Sequence, residues 1–226
     1  MAQRWNDEVK RRIRTSRIDS TRHLVDALST RSHRPGVLIC ASAIGYYGSR
    51  GDEILTESSD PGDDFLARVV RDWEHAARLA TALGVRVVNV RIGIVLGNGG
   101  ALKKMIPPFR FGLGGRIGSG KQWMSWIHVD DLVNLILFAI AKSSVSGPLN
   151  GTAPHPVTNA EFTKELASVL HRPAIFPVPV FGLKLLFGEM AQAILASQRV
   201  IPKAALEAGY QFKHPNLNSS LADIFR

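Results

Sequence analysis

Apolar residues recur along the chain at two different spacings, and their alternation predicts an α/β fold. In residues 6–30 they return every three or four positions, which predicts a long amphipathic helix. Residues 37–41 form a short apolar run followed by turn residues, which is typical of a buried parallel strand. Residues 65–83 again have helical spacing and end at Gly84, and residues 85–90 form a second strand of the buried type. This order predicts a parallel sheet with right-handed crossovers.

The second half of the chain has shorter and less regular segments. We predict a short helix over 101–106, a loop at Pro107-Pro108, a helix over 132–142 capped by Asp130, a helix from about 159 to 170 capped by Asn159, strands over 148–152 and 175–178, and short helices in most of 181–225. The pattern contains no internal repeat and no low-complexity segment.

The apolar stripe of the first helix contains polar groups. Val9, Ile13, Leu24 and Leu28 define the stripe, and Arg17 lies near its centre. A buried arginine needs a partner, because an unpaired charge inside a protein is costly. A salt bridge or a backbone carbonyl would meet that need. A bound phosphate or ribose is the functional alternative.

Composition excludes several classes of protein. Apolar residues make up 45% of 226 residues and charged residues 21%, as in ordinary globular proteins. No apolar run approaches the roughly 18 residues of a membrane span. The single cysteine, Cys40, excludes an internal disulfide framework, so we expect a reducing, cytoplasmic location.

The net charge of +9 permits nucleic acid or a phosphorylated ligand as partner. No nucleic-acid motif is present, and we interpret the basic first helix as a solvated face.

Common catalytic and cofactor motifs do not fit. The run that begins at Gly97 follows a strand, but it has Leu102 where a dinucleotide fingerprint needs Gly or Ala, and no acidic residue follows before Asp130. No G-x-S-x-G serine hydrolase motif occurs. No histidines are paired at i, i+4, so we predict no metal site.

Ser42 directly follows the first predicted strand and is followed by Tyr46 and Tyr47. Ligands of parallel α/β sheets bind beyond the carboxyl ends of the strands. A serine and two tyrosines at that edge can donate hydrogen bonds to a carbonyl or exchange a proton with a hydroxyl. A polar turn over a packed aromatic ring is the structural alternative.

Several segments together resemble a known family. They are residues 42–48 (SAIGYYG), 91–97 (RIGIVLG), 126–132 (WIHVDDL), 107–110 (PPFR), 112–120 (GLGGRIGSG) and 159–162 (NAEF). The chain resembles the extended and atypical short-chain dehydrogenase/reductases, in particular their "epimerase family protein" branch. The resemblance implies a Rossmann-like parallel sheet, N-terminally truncated, with a small and mostly helical C-terminal domain. We expect a partial dinucleotide-binding domain over 1–150 and a substrate-side region over 151–226, helical from about residue 172.

The resemblance also implies a cofactor, NADP or NAD, and contacts for it. Arg17 matches a position that contacts NADP in this branch, Val95 matches a backbone contact to the nicotinamide, and Arg12 and Ser42 are further candidates. Family members begin with a strand and a G-G-T-G-x-I-G turn that binds the pyrophosphate. This sequence begins at what matches the fourth helix, so we expect a fragment that lacks roughly a quarter of the family's length.

The wider superfamily uses a Tyr-x-x-x-Lys pair for proton transfer. The matching positions here are Leu66 and Val70, which cannot transfer a proton. Ser42 remains from the catalytic set, and Tyr46 and Tyr47 are the candidate proton donors, although the sequence shows no neighbouring cation for them.

Two functions remain open. The chain is expected to be an NADP-linked oxidoreductase or epimerase-like protein acting on a small molecule, or a dinucleotide-binding protein without catalysis. A basic nucleic-acid module is a third, less favoured hypothesis. Without the glycine turn the chain is expected to bind NADP weakly or not at all. It is also expected to self-associate at the incomplete edge of its sheet.

Overall fold

The computed structural model describes residues 4–226. Its helices are α1 (Asp7–Ser29), α2 (Phe65–Arg78), α3 (Gly100–Arg110), α4 (Val129–Ala141), α5 (Asn159–Val169), α6 (Val180–Phe187), α7 (Met190–Leu195), α8 (Lys203–Glu207) and α9 (Leu217–Ile224). Its strands are β1 (Val37–Ala43), β2 (Ile54–Leu55), β3 (Arg86–Ile92), β4 (Ile94–Leu96), β5 (Trp123–Met124), β6 (Trp126–His128), β7 (Gly147–Gly151), β8 (Val157–Thr158) and β9 (Arg199–Val200). Short 3₁₀ turns follow β1 (Ile44–Tyr47) and α2 (Leu79–Leu83).

The central sheet is parallel, with strand order β1-β3-β7. Helix α2 connects β1 to β3, and α4 precedes β7. The predicted α/β class, with its parallel sheet and mostly helical C-terminal part, is confirmed. In the part of the chain that the structure describes, β1 pairs with β3 only. The self-association expected at this free edge stays a prediction.

Local signals explain where the first elements begin and end. The Asn6 side chain accepts a hydrogen bond from the Val9 N–H at the start of α1, and Asp64 caps α2 in the same way. Gly84 ends the turn after α2 with a φ of 79°, a left-handed conformation that glycine adopts without strain. The predicted role of Gly84 is therefore confirmed.

Two predicted helix caps are each displaced along the chain. His128, not Asp130, caps α4, because its Nδ1 accepts from the Asp130 N–H at 3.2 Å. Thr158, not Asn159, caps α5, where it forms a reciprocal capping box with Glu161.

Two further boundaries differ from prediction. Helix α3 continues through Pro107 and Pro108 to Arg110. Each proline lacks an N–H but keeps a helical φ, and the Pro107 carbonyl still accepts from the Phe111 N–H. The expected strand over 175–178 is reduced to one bridge between Ile117 and Val178.

The inward face of α1 also differs from the predicted stripe. Ile18 and Val25 are its buried residues, whereas Leu24 is 48% exposed. This face packs against α2. Arg17 is partly exposed, and its guanidinium lies over the Trp73 ring of α2.

The C-terminal part packs back onto the first part of the chain. Strand β9 pairs with β2, and the Tyr210 hydroxyl donates to the Asp131 carbonyl at 2.9 Å. The domain boundary at residue 150 and the helical unit from about residue 172 stay predictions. Among the described residues, no helix combines the length and apolarity needed to cross a membrane.

Candidate functional site

Three polar residues lie in one row across the central sheet. The strand register aligns Ser42 of β1 with Arg91 of β3, and Arg91 with Asn150 of β7. All three are buried. Side chains directly opposite each other in a sheet point to the same face. The row therefore lies near the carboxyl ends of the strands, where parallel sheets bind ligands.

Helix α2 supplies a carboxylate to this row. Arg91 Nε and Nη2 donate to the two oxygens of Glu74 at 2.8 and 2.9 Å, which forms a bidentate ion pair. The side chains are 3% and 4% exposed. The Ser42 hydroxyl donates to Glu74 Oε1 at 2.6 Å. Ser42 was expected to face a substrate carbonyl, but its proton is committed to Glu74. Strand alternation points it toward α2.

Tyr47 extends the same network. Its hydroxyl donates to Asn150 Oδ1 at 2.7 Å and accepts from Arg91 Nη1 at 3.0 Å. Burial raises the pKa of Tyr47 to about 12, although Arg91 opposes that shift. Burial alone would lower the pKa of Arg91, but Glu74 and Tyr47 raise it overall. Tyr47 is thus a protonated, fully buried phenol whose hydroxyl is already shared by two protein partners. We name Ser42, Glu74, Arg91, Tyr47 and Asn150 the polar network.

Tyr46 lies beside the network without joining its hydrogen bonds. Its ring centroid is 3.4 Å from the Arg91 guanidinium, within the range of a cation–π contact. Tyr46 is partly exposed, and its hydroxyl has no hydrogen-bond partner among the described residues. The sequence showed no cation for the two tyrosines. That expectation was wrong, because Arg91 contacts both.

The positions that match the superfamily's proton-transfer pair are apolar in their contacts as well. Val70 is buried, and Leu66 packs against the backbone at Gly45. Neither replaces the missing acid and base.

A large cavity lies on the other side of the carboxyl end of β3. It has a volume of about 590 Å³. Ile92, Gly93 and Ile94 form one wall, Ile44 contributes from the turn after β1, and α3 and α5 supply two further walls. Most lining residues are apolar, and Lys104 is the one charged residue among the described residues that line it. We name this space the apolar cavity.

The predicted cofactor contacts do not line the apolar cavity. Arg17 Nη1 donates to the Ile13 carbonyl at 3.1 Å, and its guanidinium lies 5.6 Å from the Trp73 ring. No carboxylate pairs with Arg17 within residues 4–226. Arg12 is exposed on α1. Val95 lies on β4, paired with Ile127, on a different element from Arg17 and Ser42.

A histidine pair lies outside both regions. The rings of His128 and His214 are 3.9 Å apart and tilted by 32°, and their buried Nε2 atoms have no hydrogen-bond partner among the described residues. With Asp130 they form a compact group of potential metal ligands that sequence spacing did not reveal. Burial and His214 together lower the pKa of His128.

Sequence reasoning missed Glu74, Arg91 and Asn150. A signal existed for two of them. Arg91 is a charged residue near the end of a buried-type strand, and Glu74 lies on the apolar face of α2. Opposite charges on the inward faces of neighbouring buried elements predict an ion pair, because each alone would be costly to bury.

Comparison with known proteins places these features in a family. Residues 2–150 match the NAD dependent epimerase/dehydratase family, and residues 178–224 match a domain of unknown function, DUF1731. The "Epimerase family protein SDR39U1 homolog, chloroplastic" of Arabidopsis thaliana is 48% identical over 99% of this chain and 65% of its own length. The "Epimerase family protein YfhF" of Bacillus subtilis is 41% identical over 98% of this chain and 73% of its length.

Solved structures agree. The crystal structure of human epimerase family protein SDR39U1 (isoform2) with NADPH has a TM-score of 0.93 and 38% identity, covering 99% of this chain and 76% of that chain. The nucleoside-diphosphate sugar epimerase from Corynebacterium glutamicum has a TM-score of 0.81 and 37% identity, covering 100% of this chain and 45% of that chain. This chain therefore spans about two thirds of the plant relative's length. With its Rossmann-like parallel sheet, the chain belongs to the NAD dependent epimerase/dehydratase family.

Proposed function

We propose that the protein is an NADP(H)-linked, epimerase- or oxidoreductase-like protein that binds a small molecule in the apolar cavity. The observation that carries the proposal is the position of the cavity. Ile92-Gly93-Ile94, at the carboxyl end of the central strand β3, forms its wall. Ligands of parallel α/β sheets bind at this edge. The similar human protein was crystallised with NADPH, which supports the same cofactor here.

Arg17 fits a cofactor phosphate. Its guanidinium is partly exposed and has no carboxylate partner within residues 4–226, so a phosphate would supply the missing charge. Ser42 and the Val95 backbone are the further proposed contacts, and Arg12 is the weakest of them because it is exposed. A bound nicotinamide supplies the donor or acceptor of a hydride.

Residues of the chain itself are proposed to donate the proton, position Arg91 and exclude water. Tyr46 is the proposed proton donor, because its hydroxyl is unshared, Arg91 lies against its ring, and the turn that carries it also supplies Ile44 to the cavity lining. Ser42 and Tyr47 position the Arg91 guanidinium through hydrogen bonds to Glu74 and to Arg91 itself. The apolar cavity excludes water from the ligand it binds.

A second candidate is dinucleotide binding without catalysis. The observation that favours it is the pair Leu66 and Val70, which stand where the superfamily has its tyrosine and lysine. Under this alternative the polar network is a structural support, and cofactor occupancy is the functional output.

NADPH binding by this chain tests the proposal. Saturation-transfer difference NMR detects the weak affinity that we expect. Arg17→Ala should cost about 1.5–3 kcal/mol of NADPH binding, the value of hydrogen bonds to a charged group. Arg22→Ala removes an exposed arginine from the same helix and should change nothing. A larger effect of Arg17→Ala on NADPH than on NADH would assign Arg17 to the additional phosphate. Equal effects of the two variants on NADPH contradict the proposed role of Arg17. The absence of any NADPH signal shows that residues 1–226 do not hold the cofactor by themselves.

Turnover separates the two candidates. Oxidation of NADPH, followed by its absorbance with an aromatic quinone or an aliphatic aldehyde as acceptor, supports the oxidoreductase. Binding of NADPH without oxidation by either acceptor class supports the non-catalytic alternative.

A further inference from the structure

The lining of the apolar cavity restricts the class of ligand that it can bind. Its walls come from β3–β4, α3, α5 and the segment 178–198. A ligand with many hydroxyl or phosphate groups needs a polar partner for each group that it buries, because an unpaired buried polar group is costly. The number of polar groups that remain free in the wall therefore decides which ligand fits.

Most polar side chains in the wall are already paired with the protein. The Ser125 hydroxyl donates to the Gln198 carbonyl at 2.7 Å and accepts from the Val200 N–H at 2.8 Å. Asn159 Oδ1 accepts from the Ile117 N–H at 2.7 Å. Trp123 Nε1 donates to Asp52 at 2.7 Å, and Gln198 Nε2 donates to the Ile44 and Gly48 carbonyls.

The free polar groups are few. Among the side chains of residues 4–226 that line the cavity they are the Thr163 hydroxyl, the Gln198 side-chain oxygen and the Lys104 ammonium. The first two lie in an otherwise apolar wall. Lys104 is exposed, which places its charge at the solvent end of the cavity.

The geometry of α3 directs Lys104 toward this opening. Ala101, Lys104, Met105 and Pro108 line the apolar cavity and lie on one face of the helix, since they are separated by three, four and seven positions. Lys103, one residue earlier, lines a separate surface depression with Ile106 and Arg110. The two lysines thus lie on different faces of the same helix.

From these observations we infer that the apolar cavity binds an amphipathic monoanion: an apolar chain or ring system inside the cavity and one carboxylate-like group at Lys104. A nucleoside-diphosphate sugar is disfavoured, because its two phosphates and its hydroxyls would meet one side-chain cation and two free side-chain polar groups. The inference rests on the proposed function for the identity of the site as the substrate site.

Displacement of the fluorescent probe 1-anilinonaphthalene-8-sulfonate tests the inference on this chain. The probe is itself an apolar monoanion. We expect decanoate to displace it, and UDP-glucose at millimolar concentration to leave it bound. Displacement by UDP-glucose at the concentrations at which decanoate acts would overturn the inference.

Matched variants locate the binding. Lys104→Met should weaken decanoate about two- to fivefold, the effect of an exposed ion pair, and leave uncharged decanol unchanged. Lys103→Met should change neither ligand. Ala101→Trp should fill the mouth of the cavity and reduce probe binding at least severalfold. An unchanged probe affinity in Ala101→Trp, or equal losses in the two lysine variants, would place the probe elsewhere and overturn the inference.

A parallel NADPH titration of the same samples keeps the two claims separate. Decanoate binding without NADPH binding supports the ligand class and contradicts cofactor binding by residues 1–226. NADPH binding without decanoate binding supports the proposed cofactor and contradicts the inferred ligand class.

Discussion

The polar network and the apolar cavity meet at one edge of the sheet but are built in opposite ways. Arg91 and Ile92 are neighbours on β3, and strand alternation points the first into the network and the second to the cavity wall. In the network, each buried charge or hydroxyl has a partner within 3.0 Å. In the cavity, apolar groups surround free volume. A fully paired network makes this edge of the sheet rigid. The neighbouring cavity, whose lining includes none of the network residues, determines which ligand binds.

Removal of the buried Glu74 carboxylate should have the largest effect on stability of all the variants that test this contrast. Glu74→Ala leaves the Arg91 guanidinium buried without its partner, and it should reduce the free energy of unfolding by about 3–5 kcal/mol. Urea denaturation measures the loss. Asp72→Ala, on the same helix, removes the partner of Arg14 in an exposed ion pair and should cost about 0–1 kcal/mol. Similar losses in the two variants would show that the network does not stabilise the fold.

Alkaline pH should have the second largest effect, because it lowers the free energy of unfolding through the buried Tyr47 of the network. Burial raises the pKa of Tyr47 from 10.0 to about 12, so the unfolded chain loses this proton before the folded protein does. Stability therefore falls as the pH rises from 10 toward 12, by roughly 2–3 kcal/mol in total. Burial also raises the pKa of Cys40 from 9.0 to about 11, which adds a fall in the same direction between those values.

Two variants resolve this pH dependence. Tyr47→Phe should reduce the slope with which the free energy of unfolding falls between pH 10 and 12. Cys40→Ala should reduce that slope between pH 9 and 11. The measurement is urea denaturation at a series of pH values. If Tyr47→Phe has the slope of the parent protein, the buried phenol is not the group that titrates.

The two regions also differ in how far the sequence could predict them. The order of α2, β3 and Gly84 followed from local periodicity and turn chemistry. Ser42 was predicted to follow the strand directly, and it lies inside β1, one residue before its end. Its partner was missed, because Glu74 lies 32 residues away and the pairing depends on how α2 packs on the sheet. The apolar cavity could not be predicted at all, since its walls come from distant segments. One wall is a helix that continues through Pro107 and Pro108.

A substitution at the junction of the two regions should have an intermediate effect. Gly93 follows Arg91 and Ile92 and lines the cavity, and an added Cβ would lie 2.5 Å from the Ser125 carbonyl oxygen. Gly93→Ala should destabilise the protein by about 1–3 kcal/mol, the typical cost of overpacking, and should narrow the cavity. Gly36→Ala is the control, because its Cβ would meet no atom within 4 Å. If calorimetry shows equal melting temperatures for the two variants, the backbone around Gly93 and Ser125 shifts to accommodate the added Cβ, and the predicted overpacking is wrong.

Tyr46→Phe should have the smallest effect on stability and is the most informative about chemistry. The Tyr46 hydroxyl has no partner among the described residues, and the substituted ring keeps its contact with Arg91, so the free energy of unfolding should change by less than about 0.5 kcal/mol. Tyr47→Phe, one residue later, removes hydrogen bonds to Asn150 and Arg91 and should cost about 1–3 kcal/mol. If Tyr46 donates the proton, Tyr46→Phe abolishes NADPH oxidation while leaving folding and NADPH binding intact. Unchanged oxidation in a stable Tyr46→Phe variant would remove Tyr46 from the proposed chemistry and leave both tyrosines as packing partners of Arg91.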